Sequence, residues 1–512
     1  MFNLVVCLKQ VPMITELPWD EKTGTLRRDL AAGMMNPACK HALEAALQIK
    51  EKSSAKITVI TMGPPAAEEV LREAMALGAD EAILICDRLL AGSDTFATSL
   101  VLKEAIKKKC PKVDLILCGA YTADSETAQV GPQLAEELDL PAAAYVEKLE
   151  IFGRTLRVRR LVDNFRETLE MEFPVLVTIS MENYKPRFTK LAGLENAFCG
   201  NGVVVLDAAT LGIKASSMEQ KGSRTKVRKV FLKKAQKENV LIQGTASLVV
   251  TEFLDKYQRK ISTAIGKSIE EKSSMKKSNK KSIWVFGDYR NYYQNRVTLQ
   301  LLSKAVDLAK IIKAEVCALI FGHDIDEWIM EYTAHGADRI LAIDDPALKS
   351  YSTERYLAII EALANQRDPE IILIGATDFG REFAPRLAKR LKTGLSADCV
   401  GLDINEDGLL VQLAPLFGGN MLAEIITERH RPQMATVRPG TFKEIPHNYE
   451  RKALVERLPL MKNLPKPRVR LIEYERSVEK EHTIENASII VCGGRGMGNK
   501  ENSKDYRNWP NF

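Results

Sequence analysis

The sequence predicts an α/β fold made of two tandem, pseudo-symmetric domains of nucleotide-binding type, each a parallel sheet with an antiparallel extension. Three observations predict this fold. Short β-branched runs alternate with longer helical stretches, which is typical of parallel strands joined by crossover helices. A stretch of the first half recurs in the second half, and a lysine-rich segment separates the two copies.

The elements of the first half can be placed in order. Strands are predicted at NLVVCL, ITVIT, AILIC and VDLILC, beginning at residues 3, 57, 82 and 113, and helices at residues 41–52, 68–77 and 98–109. Beyond residue 151, the strand-like runs TLRVRRL, ETLEMEF and VLVTIS follow one another without a helix. This pattern predicts an antiparallel extension packed on the same sheet.

The internal repeat is carried by two matches at nearly the same spacing. GADEAILICD, from Gly78, recurs as GADRILAIDD 258 residues later, from Gly336. LILCGAYT, with Gly119, matches IILIGATD, with Gly375, 256 residues later. Chance similarity between apolar strands would not keep this register, so the sequence predicts two copies of one fold.

The segment between the copies, EEKSSMKKSNKKS, contains no apolar residue except Met275. Such a segment cannot bury enough apolar surface to order itself, which predicts a linker. The alternative, a basic ligand-binding patch, is less favoured because serines separate the lysines and no aromatic residue accompanies them. The predicted organisation is a first domain at 1–262, a linker at 263–282, a second domain at 283–470 and the start of a third at 484–512.

Composition excludes several classes of function. The 73 Lys+Arg against 67 Asp+Glu leave a net charge of +6 over 512 residues, so we expect no nucleic-acid partner and no lipid-binding face. No CxxC pair or clustered histidines occur, so no metal site is predicted. Five cysteines lie in apolar strand-like runs and are expected to pack in cores: Cys7, Cys86, Cys118, Cys317 and Cys492. Because no apolar run reaches about eighteen residues, we expect a soluble, cytoplasmic protein without membrane insertion.

The loop after the fourth strand is the first motif with a possible chemical role. In CGAYTADSETAQVGP, residues 118–132, a buried strand ends in a loop of small residues that leads into a helix. Such a loop directs backbone N–H groups and hydroxyls at whatever binds above the strand, and a phosphate fits there. The pattern alone is equally compatible with an ordinary turn of an α/β unit.

Further motifs follow the order found in electron transfer flavoproteins. VVCLKQVP, TMGPPAAEEVLREAMALGADEAILICDR, TADSETAQVGP and PRFTKLAGLENAF resemble the family's beta subunit over residues 1–262. After the linker, SIWVFGD, HGADRILAIDD, IILIGATDFGREFAPRLAKRLKTGLSADC and MATVRPG resemble its alpha subunit. The resemblance implies a beta–alpha fusion that carries electrons from flavoprotein dehydrogenases, especially acyl-CoA dehydrogenases, to a quinone oxidoreductase or another acceptor. Such a protein is a carrier and not an enzyme, since the flavin performs the redox chemistry.

The resemblance also implies a nucleotide site in the first half, for AMP in simple carriers or a second FAD in bifurcating ones. Whether this chain bifurcates is left open. Thr127 and the N–H groups of the helix start can meet phosphate oxygens. Asn36 has a second interpretation, an ordinary helix cap before Pro37. Carried over by position, the nucleotide contacts are Cys7, Asn36, Met62, Asp124, Ser125, Thr127, Ala128, Gln129 and Val130.

Two segments depart from the family's pattern. Residues 186–194 resemble the recognition loop whose exposed leucine docks on the partner dehydrogenase, and Leu191 is the matching position. The family's loop continues into a basic stretch, whereas here Glu195 follows soon after, which puts charge steering in doubt. Val162-Asp163-Asn164-Phe165-Arg166 lies where the family often has a Val-Asp-Gly-Gly turn, so Asn164 and Phe165 take the places of the two glycines. Loss of both glycines is expected to remove the positions that tolerate φ > 0, which weighs against a nearby flavin and against bifurcation.

The last segment resembles the start of the alpha subunit's FAD domain. Residues 487–491 read as a strand and CGGRGMG as the turn after it, with Arg495 at the position that meets the flavin pyrophosphate. Because the sequence stops at residue 512, a truncated FAD domain is expected, with FAD bound weakly or not at all. The alternative is a nucleotide-binding scaffold without redox activity. An adenylating or ATP-splitting enzyme is not supported, because its phosphate-loop and histidine–glycine motifs are missing from the sequence.

Overall fold

Two large sheets with matching strand orders form the core of the protein. The computed structural model describes residues 1–13, 19–20, 25–26, 32–200, 202–214, 222–232, 244–245, 247–249, 251–252, 281–290 and 292–476. Residues 1–475 form one compact unit. Two predictions fall outside the described residues. They are the linker as far as residue 280, and the truncated FAD domain at residues 484–512 with Arg495.

Strands and helices alternate along both halves. The strands are β1 (Phe2–Cys7), β2 (Gln10–Pro12), β3 (Trp19–Asp20), β4 (Thr25–Leu26), β5 (Gly33–Met35), β6 (Ala55–Met62), β7 (Glu81–Ile85), β8 (Leu115–Gly119), β9 (Ala142–Phe152), β10 (Thr155–Val162), β11 (Phe165–Glu172), β12 (Val175–Ile179), β13 (Val203–Leu206), β14 (Lys226–Leu232), β15 (Ser282–Phe286), β16 (Glu315–Gly322), β17 (Arg339–Asp344), β18 (Ile371–Gly375), β19 (Leu395–Cys399), β20 (Gly401–Ile404), β21 (Leu410–Leu416), β22 (Met421–Ile426), β23 (Gln433–Val437), β24 (Leu454–Arg457) and β25 (Val469–Arg476). The helices are α1 (Pro37–Lys52), α2 (Glu68–Leu77), α3 (Thr95–Lys109), α4 (Val130–Glu137), α5 (Leu191–Cys199), α6 (Tyr292–Ile312), α7 (Asp326–Ala334), α8 (Thr353–Arg367) and α9 (Asp378–Arg390).

The two sheets confirm the predicted duplication. The first has the order β13-β7-β6-β1-β8-β12-β9-β10-β11-β25, and the second has the order β24-β17-β16-β15-β18-β23-β19. The first seven strands of the one order correspond to the seven strands of the other, and all of these neighbours pair in parallel. The α/β fold with two parallel sheets predicted from the repeat is therefore confirmed.

Helices cover both faces of the first sheet. Leu43 of α1 and Leu71 of α2 belong to the core on one face, and Val101 of α3 and Leu134 of α4 belong to the core on the other face. A sheet covered on both faces requires strands that are apolar throughout, as β8 is. Within the described parts of the chain, no helix is both long enough and apolar enough to cross a bilayer.

The antiparallel extension is confirmed for two of its three predicted strands. β10 pairs antiparallel with β9 and with β11. The prediction is wrong for VLVTIS, because β12 lies inside the sheet and pairs in parallel with β8 and β9. All five residues of β12 are buried, as expected for a central parallel strand, and a continuous apolar run does not distinguish the two kinds of strand.

Each half also contributes a strand to a sheet of the other half. β14, from the first half, pairs antiparallel with β22 in a four-stranded sheet with β21 and β20. β25, from the second half, lies beside β11 at the edge of the first sheet. Two backbone ladders therefore cross between the halves, in addition to the packing of their side chains.

Cleavage of the chain between the halves is expected to leave them associated. A protease site would be placed in the lysine- and serine-rich segment, and the cut protein examined by size-exclusion chromatography at micromolar concentration. Because β14 and β25 remain paired across the halves, both fragments are expected to co-elute at the position of the uncut chain. Two separate peaks in the absence of denaturant would contradict the exchange of strands.

Candidate functional site

The predicted nucleotide loop lies at the carboxyl edge of the first sheet, where the order of strands reverses. The chain leaves β1 towards β6 on one side, and β8 is added on the other side. Cys7 and Cys118 are register partners at the ends of these two central strands, and Met62 ends the neighbouring β6. Crevices at such switch points are where open α/β sheets bind ligands.

The loop between Gly119 and Val130 has an unusual backbone. Glu126 and Ala128 have φ values of 50° and 56°, and Thr127 stands between them. A left-handed conformation costs a residue other than glycine on the order of 1–3 kcal/mol, and such strain often occurs at binding sites. Left-handed residues of this kind also let successive backbone N–H groups form an anion-binding concavity.

The equivalent place in the second half is closed. There α9 begins three positions after Gly375, whereas α4 begins eleven positions after Gly119. Thr377 Oγ1 accepts the N–H of Gly380 at 3.1 Å, and a Cβ added to Gly380 would lie 1.8 Å from the Gly375 carbonyl oxygen. The cavity at this position is about 10 Å³. Of the two described copies, the first alone has a long loop between strand and helix, and this loop is the candidate for a nucleotide site.

The sequence explains why the loop is longer in the first half. Gly119 and Pro132 are 13 positions apart, whereas the matching Gly375 and Pro385 are 10 apart. The first half therefore has three additional residues, and it lacks the helical turns that α9 forms next to β18. The residues of this loop therefore lie outside α4, and the Glu126 N–H donates to the Thr122 carbonyl at 2.8 Å.

Asn36 holds the loop and does not cap a helix with its side chain. It occupies the N-cap position of α1, but its side chain makes no capping hydrogen bond. Instead, Nδ2 donates to the Tyr121 carbonyl at 2.9 Å, and Oδ1 accepts the Ala123 N–H at 2.9 Å. These two hydrogen bonds tie the loop to the start of α1. Asn36 is 1% exposed, so water does not compete for them.

Asp124 and Ser125 also make contacts that shape the loop. Lys9 Nζ lies 2.8 and 2.7 Å from the two carboxylate oxygens of Asp124. Ser125 Oγ lies 3.0 Å from Thr122 Oγ1. Because Lys9 balances the charge of Asp124, an anionic ligand at this loop would meet less repulsion than the acidic sequence suggests.

The second half holds the loop from the other side. Gln129 Nε2 donates to the Leu395 carbonyl at 3.1 Å. Arg381 Nη1 donates to the Glu126 carbonyl at 3.2 Å, and the Asp124 carbonyl accepts the Phe417 N–H at 3.0 Å. Sequence reasoning missed Lys9, Arg381 and Phe417, since no local pattern indicates which half contacts which.

The turn at Asp163 and Asn164 does not behave as the loss of glycine predicts. Asp163 and Asn164 have positive φ, 50° and 68°, so the expectation is wrong at Asn164, the place of the first glycine. Phe165, at the place of the second glycine, begins β11 and does not have positive φ. Asp and Asn are among the residues other than glycine that best tolerate this region. The Asp163 carboxylate accepts the N–H groups of Asp378 and Phe379 at 2.8 and 3.0 Å. It thereby caps α9 of the other half, and burial raises the pKa of Asp163 to about 6 although Arg290 acts in the opposite direction.

The predicted docking residue lies on the surface. Leu191 begins α5 and is 83% exposed, and Phe188 just before it is 97% exposed. Arg187 fixes this segment to α1 through Glu44 at 2.8 Å and Glu51 at 2.6 Å. The exposure fits a docking role, which remains a prediction, as do the nucleotide contacts.

Comparison with known proteins gives consistent matches for both halves. The electron transfer flavoprotein domain matches residues 23–205 and 283–462. Over 254 residues, the chain is 41% identical to the electron transfer flavoprotein subunit beta of Thermoanaerobacterium thermosaccharolyticum, covering 50% of this chain and 97% of that protein. Over 231 residues, it is 39% identical to the subunit alpha of Clostridium acetobutylicum, covering 44% and 69%. A subunit of the caffeyl-CoA reductase-Etf complex of Acetobacterium woodii is 39% identical over 244 residues, covering 48% and 92%. Beta relatives match the N-terminal half and alpha relatives the C-terminal half.

Proposed function

This chain belongs to the electron transfer flavoprotein family as a fusion of a beta-type and an alpha-type half, and on that premise we propose that it carries electrons from flavoprotein dehydrogenases to a downstream acceptor. The observation that supports the proposal most is the long loop at the switch point of the first sheet, which the otherwise matching second copy does not have. We propose that a nucleotide binds at this loop.

An adenine nucleotide fits the residues of this loop. Asn36 fixes the loop from below, and Thr127 stands between two left-handed residues where its hydroxyl and the neighbouring N–H groups would hold a phosphate. The backbone near Cys7 would contact the adenine. The ligand is AMP or FAD. FAD, where bound, supplies the electron-carrying chemistry, and this chain's residues bind and orient the nucleotide.

The proposed electron donors are flavoproteins that act on CoA thioesters. Acyl-CoA dehydrogenases are the donors that the family resemblance implies, and one relative carries the name of a caffeyl-CoA reductase complex. A quinone oxidoreductase is the proposed acceptor. Leu191 and Phe188 are the exposed apolar side chains that would anchor the partner, since interface anchors are usually large apolar residues set in a pocket of the other protein.

Electron transfer from a dehydrogenase tests the proposal. The protein would be saturated with FAD and mixed anaerobically with an acyl-CoA dehydrogenase and its substrate, and reduction of the bound flavin followed in the visible spectrum. Reduction is expected to require both additions. Leu191→Ala is expected to slow it roughly tenfold or more, because truncation of an interface anchor costs about 2 kcal/mol. Met330→Ala, at a residue 64% exposed on the other half, is expected to have no effect.

The result also separates the carrier from the alternative of a nucleotide-binding scaffold. A protein that retains its nucleotide but takes no electrons from any dehydrogenase of this class would support the scaffold. Equal rates for wild type, Leu191→Ala and Met330→Ala would show that Leu191 does not anchor the partner, and would leave the carrier function itself standing.

A further inference from the structure

A groove with three cationic side chains lies on the first half, beside α1 and the antiparallel extension. Its volume is about 380 Å³. Lys52 comes from the end of α1, Lys148 from β9 and Arg159 from β10, and Glu147 is the acidic residue of the lining. Three cationic side chains and one acidic one therefore line the groove.

Carboxylates balance the cations of the groove in part. Glu150 pairs with Lys148 at 2.6 Å and also feels the charge of Arg159, so three cations face Glu147 of the lining and Glu150 beside it. Lys148 and Arg159 are also direct cross-strand partners. Like charges in this position destabilise a sheet. This pair does not stabilise the folded sheet, and an anionic ligand between the two side chains would relieve their repulsion.

The segment that precedes the exposed docking residues lines part of the groove. Asn183 and Tyr184 line it, and Tyr184 Oη accepts the Leu149 N–H at 2.7 Å. Three residues later, Arg187 is anchored on Glu44 and Glu51 of α1, the helix that also carries Lys52. A partner that covers both α1 and the segment from Tyr184 to Leu191 would reach the groove.

We infer that this groove receives acidic side chains of the partner flavoprotein, next to the apolar anchor at Leu191. The inference rests on the proposed function. The sequence raised doubt about charge steering because Glu195 follows the docking loop, and the groove supplies the cations from a different part of the fold. Complementary charges of this kind raise association rates by about 10 to 10³ at low salt. The effect falls with salt, since the Debye length is about 10 Å at 0.1 M.

Charge reversal with a matched control tests the groove without the partner. One variant carries Lys52→Glu, Lys148→Glu and Arg159→Glu. The control carries Lys107→Glu, Lys109→Glu and Lys112→Glu, which change the net charge equally on the exposed end of α3 and the turn after it. An oligoglutamate peptide would be titrated into each at low ionic strength. We expect the groove variant to bind about tenfold or more weakly and the control to match wild type. Equal loss in both variants would overturn the inference.

The single variant Arg159→Glu distinguishes loss of peptide binding from a folding defect. It places opposite charges across the strands at Lys148, so its melting temperature is expected to equal or exceed that of wild type. The same variant is nevertheless expected to bind the peptide more weakly. Weaker binding together with a lower melting temperature would point to damage of the sheet and contradict the proposed role.

A second arm uses the dehydrogenase that reduces the protein in the electron-transfer assay. Its association rate is expected to fall with salt for wild type and for the control, and to be slower and nearly independent of salt for the groove variant. If no dehydrogenase reduces the protein, the proposed function fails while the peptide titration still decides whether the groove binds carboxylates. Binding of anionic lipid vesicles through the same residues, without competition by the peptide, would overturn the choice of an acidic protein partner.

Discussion

Replacing Arg160 with methionine is expected to lower the free energy of unfolding by about 3–5 kcal/mol, the usual cost of removing one partner from a buried ionic group. Arg160 is 5% exposed. It contacts Glu167 of β11 at 2.7 Å and Glu382 of α9 in the other half. Burial opposes its charge, but the two carboxylates outweigh burial and raise the pKa of Arg160. Without the guanidinium, two carboxylates would be buried side by side, each hindering the ionisation of the other.

The loss is expected to depend on pH in a defined direction. In the variant, burial and mutual repulsion raise the carboxylate pKa values of the folded state above those of the unfolded state. The folded variant therefore binds more protons than the unfolded chain, and its stability falls as pH rises. Urea unfolding at pH 5 and pH 8 should show the smaller deficit at pH 5. Arg457→Met, at an exposed pair with Asp326, is the control and should cost about 0–1 kcal/mol. A loss of unfolding free energy as small as that of the control would show that the ionic triad of Arg160, Glu167 and Glu382 does not stabilise the fold.

Replacing Asn36 with alanine is expected to weaken nucleotide binding about tenfold to a hundredfold. The change leaves the Tyr121 carbonyl and the Ala123 N–H without the partner that the fold provides, and each unpaired group costs about 1–3 kcal/mol unless the loop moves to find water. A loop that moves is no longer shaped for phosphate. Titration of nucleotide-free protein with AMP and with FAD measures the effect.

Two further variants separate the tether from a general effect of losing an amide. Asn36→Asp keeps the acceptor for the Ala123 N–H and loses the donor to Tyr121, so an intermediate affinity is expected. Asn405→Ala removes an amide that holds a turn in the second half and should leave nucleotide affinity unchanged. Unchanged affinity in Asn36→Ala would show that the tether is not needed for binding.

The sequence predicts the architecture well because its two halves repeat the same motifs in the same order. The repeats at Gly78 and Gly336, and at Gly119 and Gly375, identify equivalent strands in the two sheets. Alternation of β-branched and helical runs places α2 at the predicted bounds, 68–77. Helix starts were predicted less accurately, since α1 begins at Pro37 and not at 41, where a proline at the first turn extends the helix.

What the sequence could not predict depends on contacts between distant segments. The exchange of β14 and β25 joins residues of opposite halves, and no local pattern specifies which sheet an edge strand joins. The same holds for Asp163 as a cap of α9 and for the triad around Arg160. Neither a charged residue in a strand nor a short polar turn indicates, by itself, that another element covers it.

The candidate site shows the same division. The loop was found from its sequence, and the structure places Cys7, Met62 and Asn36 around the strand ends where it begins. The sequence could not predict that the loop is long in the first copy and short in the second. The three additional residues could equally have formed an exposed bulge, and the starts of α4 and α9 in the structure decide between the two. The groove beside Leu191 was not predicted, since Lys52, Lys148 and Arg159 come from three separate elements.

The central claim is that one of two matching copies holds an adenine nucleotide. Titration of nucleotide-free protein with AMP tests it most directly, with wild type compared with Asn36→Ala in the first copy and Thr377→Ala in the second. We expect one AMP per chain for wild type and for Thr377→Ala, and greatly weakened binding for Asn36→Ala. Two equivalent sites, or binding that survives Asn36→Ala and is lost in Thr377→Ala, would contradict it.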